Sequence, residues 1–422
     1  MMYVSAAKKR EPGRIPRCHT PMQPRLISHA LATCLLWGAG CAGSQQRPTT
    51  PGGDVVQMEA LRITAKRGQD GSYGFDVYDA PDLFKRATDL LNGKKCHEAV
   101  VLYDKLTMEF PDSRYVSASY YNAGLCLQAL GEFEASAQRY ALLRDKLPGS
   151  EDYRHASLQY AEVLVQLERW EQVIAVADEL LARTDLESHE RLESMARHSQ
   201  ALLGQGKLQD AAKHARSSLS YFRTRPKTEE IVDEFFAAAN NYVLAETLRR
   251  EGQSMAFPED AESQQKVLIR RAELLLAAQR EYFNTISFTN LDNVHWAAAS
   301  GYRIGNMYDE LWQDVMGAPV PAHLPPEGAD PYHESLAKLI KPLIRHAIRY
   351  WELTLLLIER TGMDNDWSRK TRDDLVRVRA LLLEQPAGPG GLPPSAAPQS
   401  PDQDTPVAPP EAPEAPPGSG SI

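Results

Sequence analysis

Two stretches of this chain carry the same order of residue types, and that repeat constrains the fold more than any other feature. The first runs Leu83, Ala87, Gly93, Ala99, Tyr103 and Pro111; the second runs Tyr120, Gly124, Gly131, Ser136, Tyr140 and Pro148. Pro111 and Pro148 lie 37 positions apart, inside the window of periods that belongs to stacked helical repeats. Each position has a physical reason. Gly124 and Ser136 are small where paired helices would cross closely, and Gly131 ends a helix in a tight turn. Tyr120, Phe133 and Tyr140 supply bulk between helices, and Pro148 stops the second helix. Weaker copies follow, with Ala161, Trp170 and Ala177, then Gly206, Ala211 and Ala215. A unit of this size cannot bury its apolar face alone, so units of this kind stack.

The order aromatic, small residue, Gly turn, small residue, aromatic, Pro resembles the tetratricopeptide repeat. The resemblance implies an all-α, tetratricopeptide-like helical-repeat solenoid over 81–225. The extra residues in Pro111-Asp112-Ser113-Arg114-Tyr115 resemble the linkers of outer-membrane assembly lipoproteins and of periplasmic tol–pal-associated proteins. In the repeat family the first helix of each pair lines the concave side. By that frame Phe84, Tyr121, Gln128, His155, Leu158, Glu162 and Gln166 are the expected groove residues. Aromatics mixed with amides suit a peptide or a partner helix. The alternative, that they only coat a spacer, stays open.

Helical periodicity continues through Ile231–Arg250, Ala261–Tyr282 and Val294–Val315. Trp296 to Tyr308 again reads as a first repeat helix, and its partner arrives late, at Ala347-Ile348-Arg349-Tyr350-Trp351. Between them lies an insertion with Gly317-Ala318-Pro319-Val320-Pro321 and Pro325-Pro326-Glu327-Gly328. An interrupted repeat of this kind is similar to deltaproteobacterial envelope and gliding-motility repeat proteins. The helix with Trp367 and Leu375–Leu383 is expected to cap the stack. Region 227–384 is thus read as divergent repeats with an insertion and a cap. Residues 385–422, rich in Pro, Ala and Ser, are expected to be disordered, as they cannot bury enough apolar surface to fold.

The other end reads as an address. Residues 1–21 suggest an over-extended start, with Met22 the better one. From there a basic residue, Arg25, precedes the apolar run Leu26–Trp37 and then Gly38-Ala39-Gly40-Cys41, the layout of a cleaved export signal. The run falls short of the roughly 20 residues that span a bilayer. Its ending resembles the lipobox of bacterial lipoproteins, with Gly38 where Leu is usual. The resemblance implies a lipid on Cys41 and, with Ala42 rather than Asp next, sorting to the outer membrane on its periplasmic face. An ordinary secretory signal with an incidental cysteine is the alternative, as is a cytosolic chain if Met1 is the true start. Residues 42–80 read as a tether, with alternation in Met58–Thr64 suggesting one short strand.

Composition excludes more than it suggests. Net charge is −9 over 422 residues, against the basic stripe that nucleic-acid binders carry. The sequence contains no HExxH, Walker loop, GxSxG or EF-hand pattern, and its 11 histidines are scattered without zinc-ligand spacing. No metal, cofactor or small-molecule substrate is expected. Cys96 and Cys126 sit on helices that should pack together; a disulfide in an oxidising compartment and two buried free thiols are both open. The reading is a non-enzymatic, membrane-anchored scaffold for protein partners in a bacterial envelope complex. A gliding-motility or secretion-machine subunit is the narrower alternative. An enzyme or ligand-binding protein using 227–384 is the rival from another class, supported only by Trp296, Trp312, Trp351 and Trp367.

Overall fold

The computed structural model describes residues 60–67, 72–225, 230–288, 294–321, 325, 329–363 and 365–384. Cys41, the signal, most of the tether, part of the insertion and the C-terminal segment lie outside them. The described residues form one β-hairpin followed by helices packed in antiparallel pairs. The first pair is α1 (Ala80–Asn92) with α2 (Cys96–Glu109), and the second is α3 (Val116–Ala129) with α4 (Phe133–Lys146). Next come α5 (Tyr153–Gln166) with α6 (Trp170–Ala182), then α7 (Ser188–Gly204) with α8 (Leu208–Thr224).

The period seen in the sequence is a period of burial. Leu106, Leu143 and Leu180 recur every 37 residues in α2, α4 and α6, and all three are fully buried. The turn between paired helices recurs as well, through one residue in the left-handed region: Lys94 (φ 60°), Gly131 (φ 77°), Glu168 (φ 54°) and Gly206 (φ 74°). Only two of the four are the glycines that accept this backbone freely. In the first unit the sequence suggests Gly93 for the turn. Gly93 instead caps α1 with φ −78°, and its neighbour Lys94 takes the left-handed position.

Small residues make room for aromatic ones. A Cβ on Gly124 would lie 2.5 Å from the Tyr140 ring, so the ring packs flat against the α3 backbone only because that carbon is missing. Ser136 Oγ donates to Gly124 O at 2.8 Å across the same crossing. Successive units are also tied by ion pairs 35 residues apart: Arg139 to Asp104 at 2.7 Å, Arg169 to Glu134 at 2.8 Å, and Arg144 to Glu179 at 2.7 Å.

Beyond Arg225 the helices lengthen: α9 (Glu230–Gln253), α10 (Ala261–Ser287), α11 (His295–Met316), α12 (Ala329–Thr361) and α13 (Asp366–Glu384). Here α9 packs on α10, α11 on α12, and α13 closes against α11 and α12. Trp351 is fully buried, its indole lying where Gly305 has no Cβ. Trp296 is buried in the same core, and Trp312 and Trp367 pack against it. The four tryptophans that supported a ligand-binding reading of this region therefore have a packing role.

Within residues 42–80 the structure has a hairpin, β1 (Arg62–Arg67) paired antiparallel with β2 (Tyr73–Tyr78). The sequence suggested one strand ending near Thr64. The second, Tyr-Gly-Phe-Asp-Val-Tyr, alternates in the same way.

Candidate functional site

Which side of the stack is concave follows from which helices touch. Along the chain α1 meets α3, α3 meets α5, α5 meets α7, α7 meets α9, α9 meets α11 and α11 meets α13. No two even-numbered helices are in comparable contact among the described residues. Successive units are thus closest on the odd-helix side, which is the inner wall.

At the middle of that wall three first helices converge. Tyr121 on α3 is half-buried, its ring 6.1 Å from the Tyr140 ring. Its neighbour Tyr120 is buried in the core cluster of the first units. Gln128, two turns along α3, accepts from Tyr140 OH at 3.2 Å. From α5 comes Glu162, and from α7 come Glu193 and Arg197, with Arg197 Nη2 3.7 Å from Glu162 and 3.5 Å from Glu193. The Arg197 guanidinium also lies over the Phe236 ring of α9, 5.5 Å from its centroid.

Burial pushes the Tyr121 hydroxyl up to about 12, with Asp152, Glu193 and Glu162 adding to it. Burial likewise pushes the Glu193 carboxyl up to about 7; Glu162 and Glu190 add to this, and Arg197 opposes them without restoring the ordinary value. A folded-state value above the unfolded one means that folded protein holds the extra proton between about pH 4.5 and 7. Stability therefore falls as pH rises through that window and stays reduced above it. Glu193→Gln removes the penalty. The variant is expected to be more stable than the parent at pH 8 by on the order of 2–3 kcal/mol, at 1.36 kcal/mol per pH unit, with the difference closing near pH 4.5. Thermal unfolding at the two pH values checks this; equal midpoints at pH 8 would remove the charge strain from the account.

The other sequence candidates divide. His155 is exposed, with Nδ1 3.8 Å from Glu190, which also takes Arg154 Nε at 3.0 Å and the Glu187 backbone N–H at 2.9 Å. Gln166 is exposed at the end of α5. Leu158 is a correction. It stands 37 residues after Tyr121, but it is only 6% exposed, packed with Ala161, Leu164, Val173 and Leu180. Phe84, on α1, is half-buried against the core of the first units. Its ring stacks on Tyr115 at 4.9 Å and tilts against Tyr103 at 5.9 Å.

The repeat frame does not point to Glu193 and Arg197. The available signal was an i, i+4 acid–base pair on the first helix of the fourth unit, where the repeat pattern is faintest. Cys96 and Cys126 are both buried free thiols in one small cluster with Ala87, Ala99, Tyr103 and Ala123. Burial raises the Cys126 thiol, and Cys96 beside it raises it further. Among the described residues no group of acids, histidines and cysteines converges to hold a metal ion, and no helix is long and apolar enough to cross a membrane.

No protein-family model matches the chain, and no curated protein matches it. Several solved structures are similar in outline. A MamA double mutant from strain RS-1 is 13% identical over 47% of this chain and 95% of its own, with a TM-score of 0.32. MamA (41-end) from Desulfovibrio magneticus RS-1 gives 11% identity over 48% and 95%, with a TM-score of 0.33. A tetratricopeptide repeat protein from Parabacteroides merdae gives 10% identity over 71% and 98%, with a TM-score of 0.36. Likeness this loose says nothing of function. The chain is an all-α, tetratricopeptide-like helical stack, as its own paired helices and buried period establish.

Proposed function

We propose that this chain is a non-enzymatic scaffold, held on the periplasmic face of a bacterial outer membrane by a lipid on Cys41, which presents its inner wall to protein partners. The observation that carries the binding part is the wall at Tyr121, Glu162, Glu193 and Arg197. A half-buried aromatic there sits among charges whose mutual pairing is loose, at 3.5 and 3.7 Å. Aromatic anchors dominate binding energies because they bury large area with few rotatable bonds.

Tyr120 and Tyr121 make a paired test. Tyr120→Ala empties a core site and is expected to cost about 3 kcal/mol or more. Tyr121→Ala is expected to keep the fold and to weaken partner capture from solubilised membranes by roughly tenfold or more. Equal loss of stability in both, with unchanged partners, would move the contacts off this wall.

The anchor rests on the sequence alone, on the apolar run that ends at Cys41. Two or more acyl chains, at about 0.8 kcal/mol per buried CH₂, hold a protein stably on a membrane. The mature protein is expected to begin at Cys41 with acyl mass on its first peptide. An unmodified first peptide in mass spectrometry rules out the lipid.

A further inference from the structure

The hairpin is the least covered element of the fold. Its register places Ile63 opposite Val77, Ala65 opposite Phe75 and Arg67 opposite Tyr73, so side chains of alternate residues share one face. On that face Leu61 is 52% exposed, Ile63 63%, Tyr73 70%, Phe75 71% and Val77 50%. The opposite face carries Arg62, Thr64 and Asp76 and is fixed to the body at its base. There Tyr78 is buried, its hydroxyl donates to Glu109 at 2.7 Å, Lys105 Nζ lies 3.7 Å over its ring, and Arg62 Nη2 donates to Glu109 O at 3.0 Å. The apolar face therefore points away from the helices. Two strands alone are marginal in water, and five large apolar side chains on one such face need a cover.

We propose that the hairpin lays this face on the bilayer surface, as a second membrane contact beside the lipid. The inference rests on the Cys41 anchor proposed above. Two observations select a bilayer over a protein. The first is position: eighteen residues separate Cys41 from Ala60, a reach of at most about 65 Å, and the hairpin is the first described element after the lipid. The second is the chemistry of the tip, where exposed Arg67 sits across from Tyr73 on the apolar face itself. An apolar partner surface alone would leave that guanidinium without an anion. At a lipid surface its stem lies along acyl chains while its head meets phosphate, and tyrosine favours the same depth.

The test uses the mature full-length chain on vesicles of phosphatidylethanolamine and phosphatidylglycerol carrying a photoactivatable phospholipid. Labelled peptides and the mass of the first peptide are read together. Label is expected on residues 61–77 and not on Leu339 or Val376, which are as exposed (76% and 70%) but lie on α12 and α13. Ile63→Asp with Phe75→Asp is expected to abolish that label while the acylated chain stays bound. An acylated, bound chain whose hairpin labels no more than Leu339 overturns the proposal. So does a chain that fails to bind, and so do hairpin-to-hairpin cross-links between copies without lipid label. A hairpin that labels on a chain without acyl mass keeps this contact and removes the lipid anchor instead.

Discussion

Glu246→Gln is expected to destabilise the protein by about 3–5 kcal/mol, the usual cost of removing one partner from a buried ion pair. Glu246 is 1% exposed on α9 and is held on every side. Arg249 Nη2 lies at 3.0 Å, Arg303 Nε at 3.1 Å from α11, Arg250 Nε at 3.5 Å, and Tyr282 OH of α10 donates to it at 2.5 Å. Burial alone would raise this carboxyl. Arg303 and Arg249 outweigh burial, helped by the hydrogen bonds from Arg249 and Tyr282, and bring it down to about 2. The depression from the ordinary 4.5, at 1.36 kcal/mol per unit, gives roughly 3 kcal/mol and agrees with the mutational range. A depressed folded-state value makes this stability fully present above about pH 4.5 and lost as pH falls toward 2. Chemical denaturation should show the deficit at pH 7 and its shrinkage on acidification. A variant as stable as the parent at pH 7 would mean that the arginines find equal partners elsewhere, Glu310 at 2.8 Å from Arg249 being the nearest.

The contrast between Glu246 and Tyr120 shows what the sequence discloses. Tyr120, Gly124 and Tyr140 are legible because a repeat writes the same packing several times, so each residue type is seen more than once. Glu246 and Arg303 are 57 positions apart and occur once, and no periodicity links them. The left-handed turns at Lys94 and Glu168 were hidden for a related reason: glycine advertises that backbone at Gly131 and Gly206, and lysine and glutamate do not. On the inner wall Tyr121, Gln128 and Glu162 were readable from the frame of the best-preserved units. Leu158 occupies the same frame position as Tyr121 but is packed in the core of the third unit, where a frame does not say how far a position is buried. Glu193 and Arg197 lay where the aromatic marks of the repeat are absent. The hairpin was half legible, since alternation on one strand says nothing of its partner.

The same logic makes the pair Gly305 and Trp351 the strongest test of whether the repeat survives its insertion. In α3 and α4 a missing Cβ at Gly124 admits Tyr140; in α11 and α12 a missing Cβ at Gly305 admits Trp351, since a Cβ there would lie 2.4 Å from the indole nitrogen. The indole Nε1 donates to Tyr302 O at 3.0 Å, and its ring stacks with Tyr302 at 6.4 Å. Trp351→Ala is expected to cost about 3–5 kcal/mol, as for other large aromatics deleted from a core. Gly305→Ala forces a methyl into the indole and should cost about 1–3 kcal/mol. The double variant separates this contact from general damage. If the two residues form one crossing, the new methyl enters space that the indole has left, and the double variant loses less than the sum of the singles. Leu353, half exposed on the same helix, serves as the control, with Leu353→Ala changing little. Strict additivity between Gly305→Ala and Trp351→Ala would show that α11 and α12 are held by the surrounding core, and that the small-for-aromatic exchange of the early repeats is not repeated here.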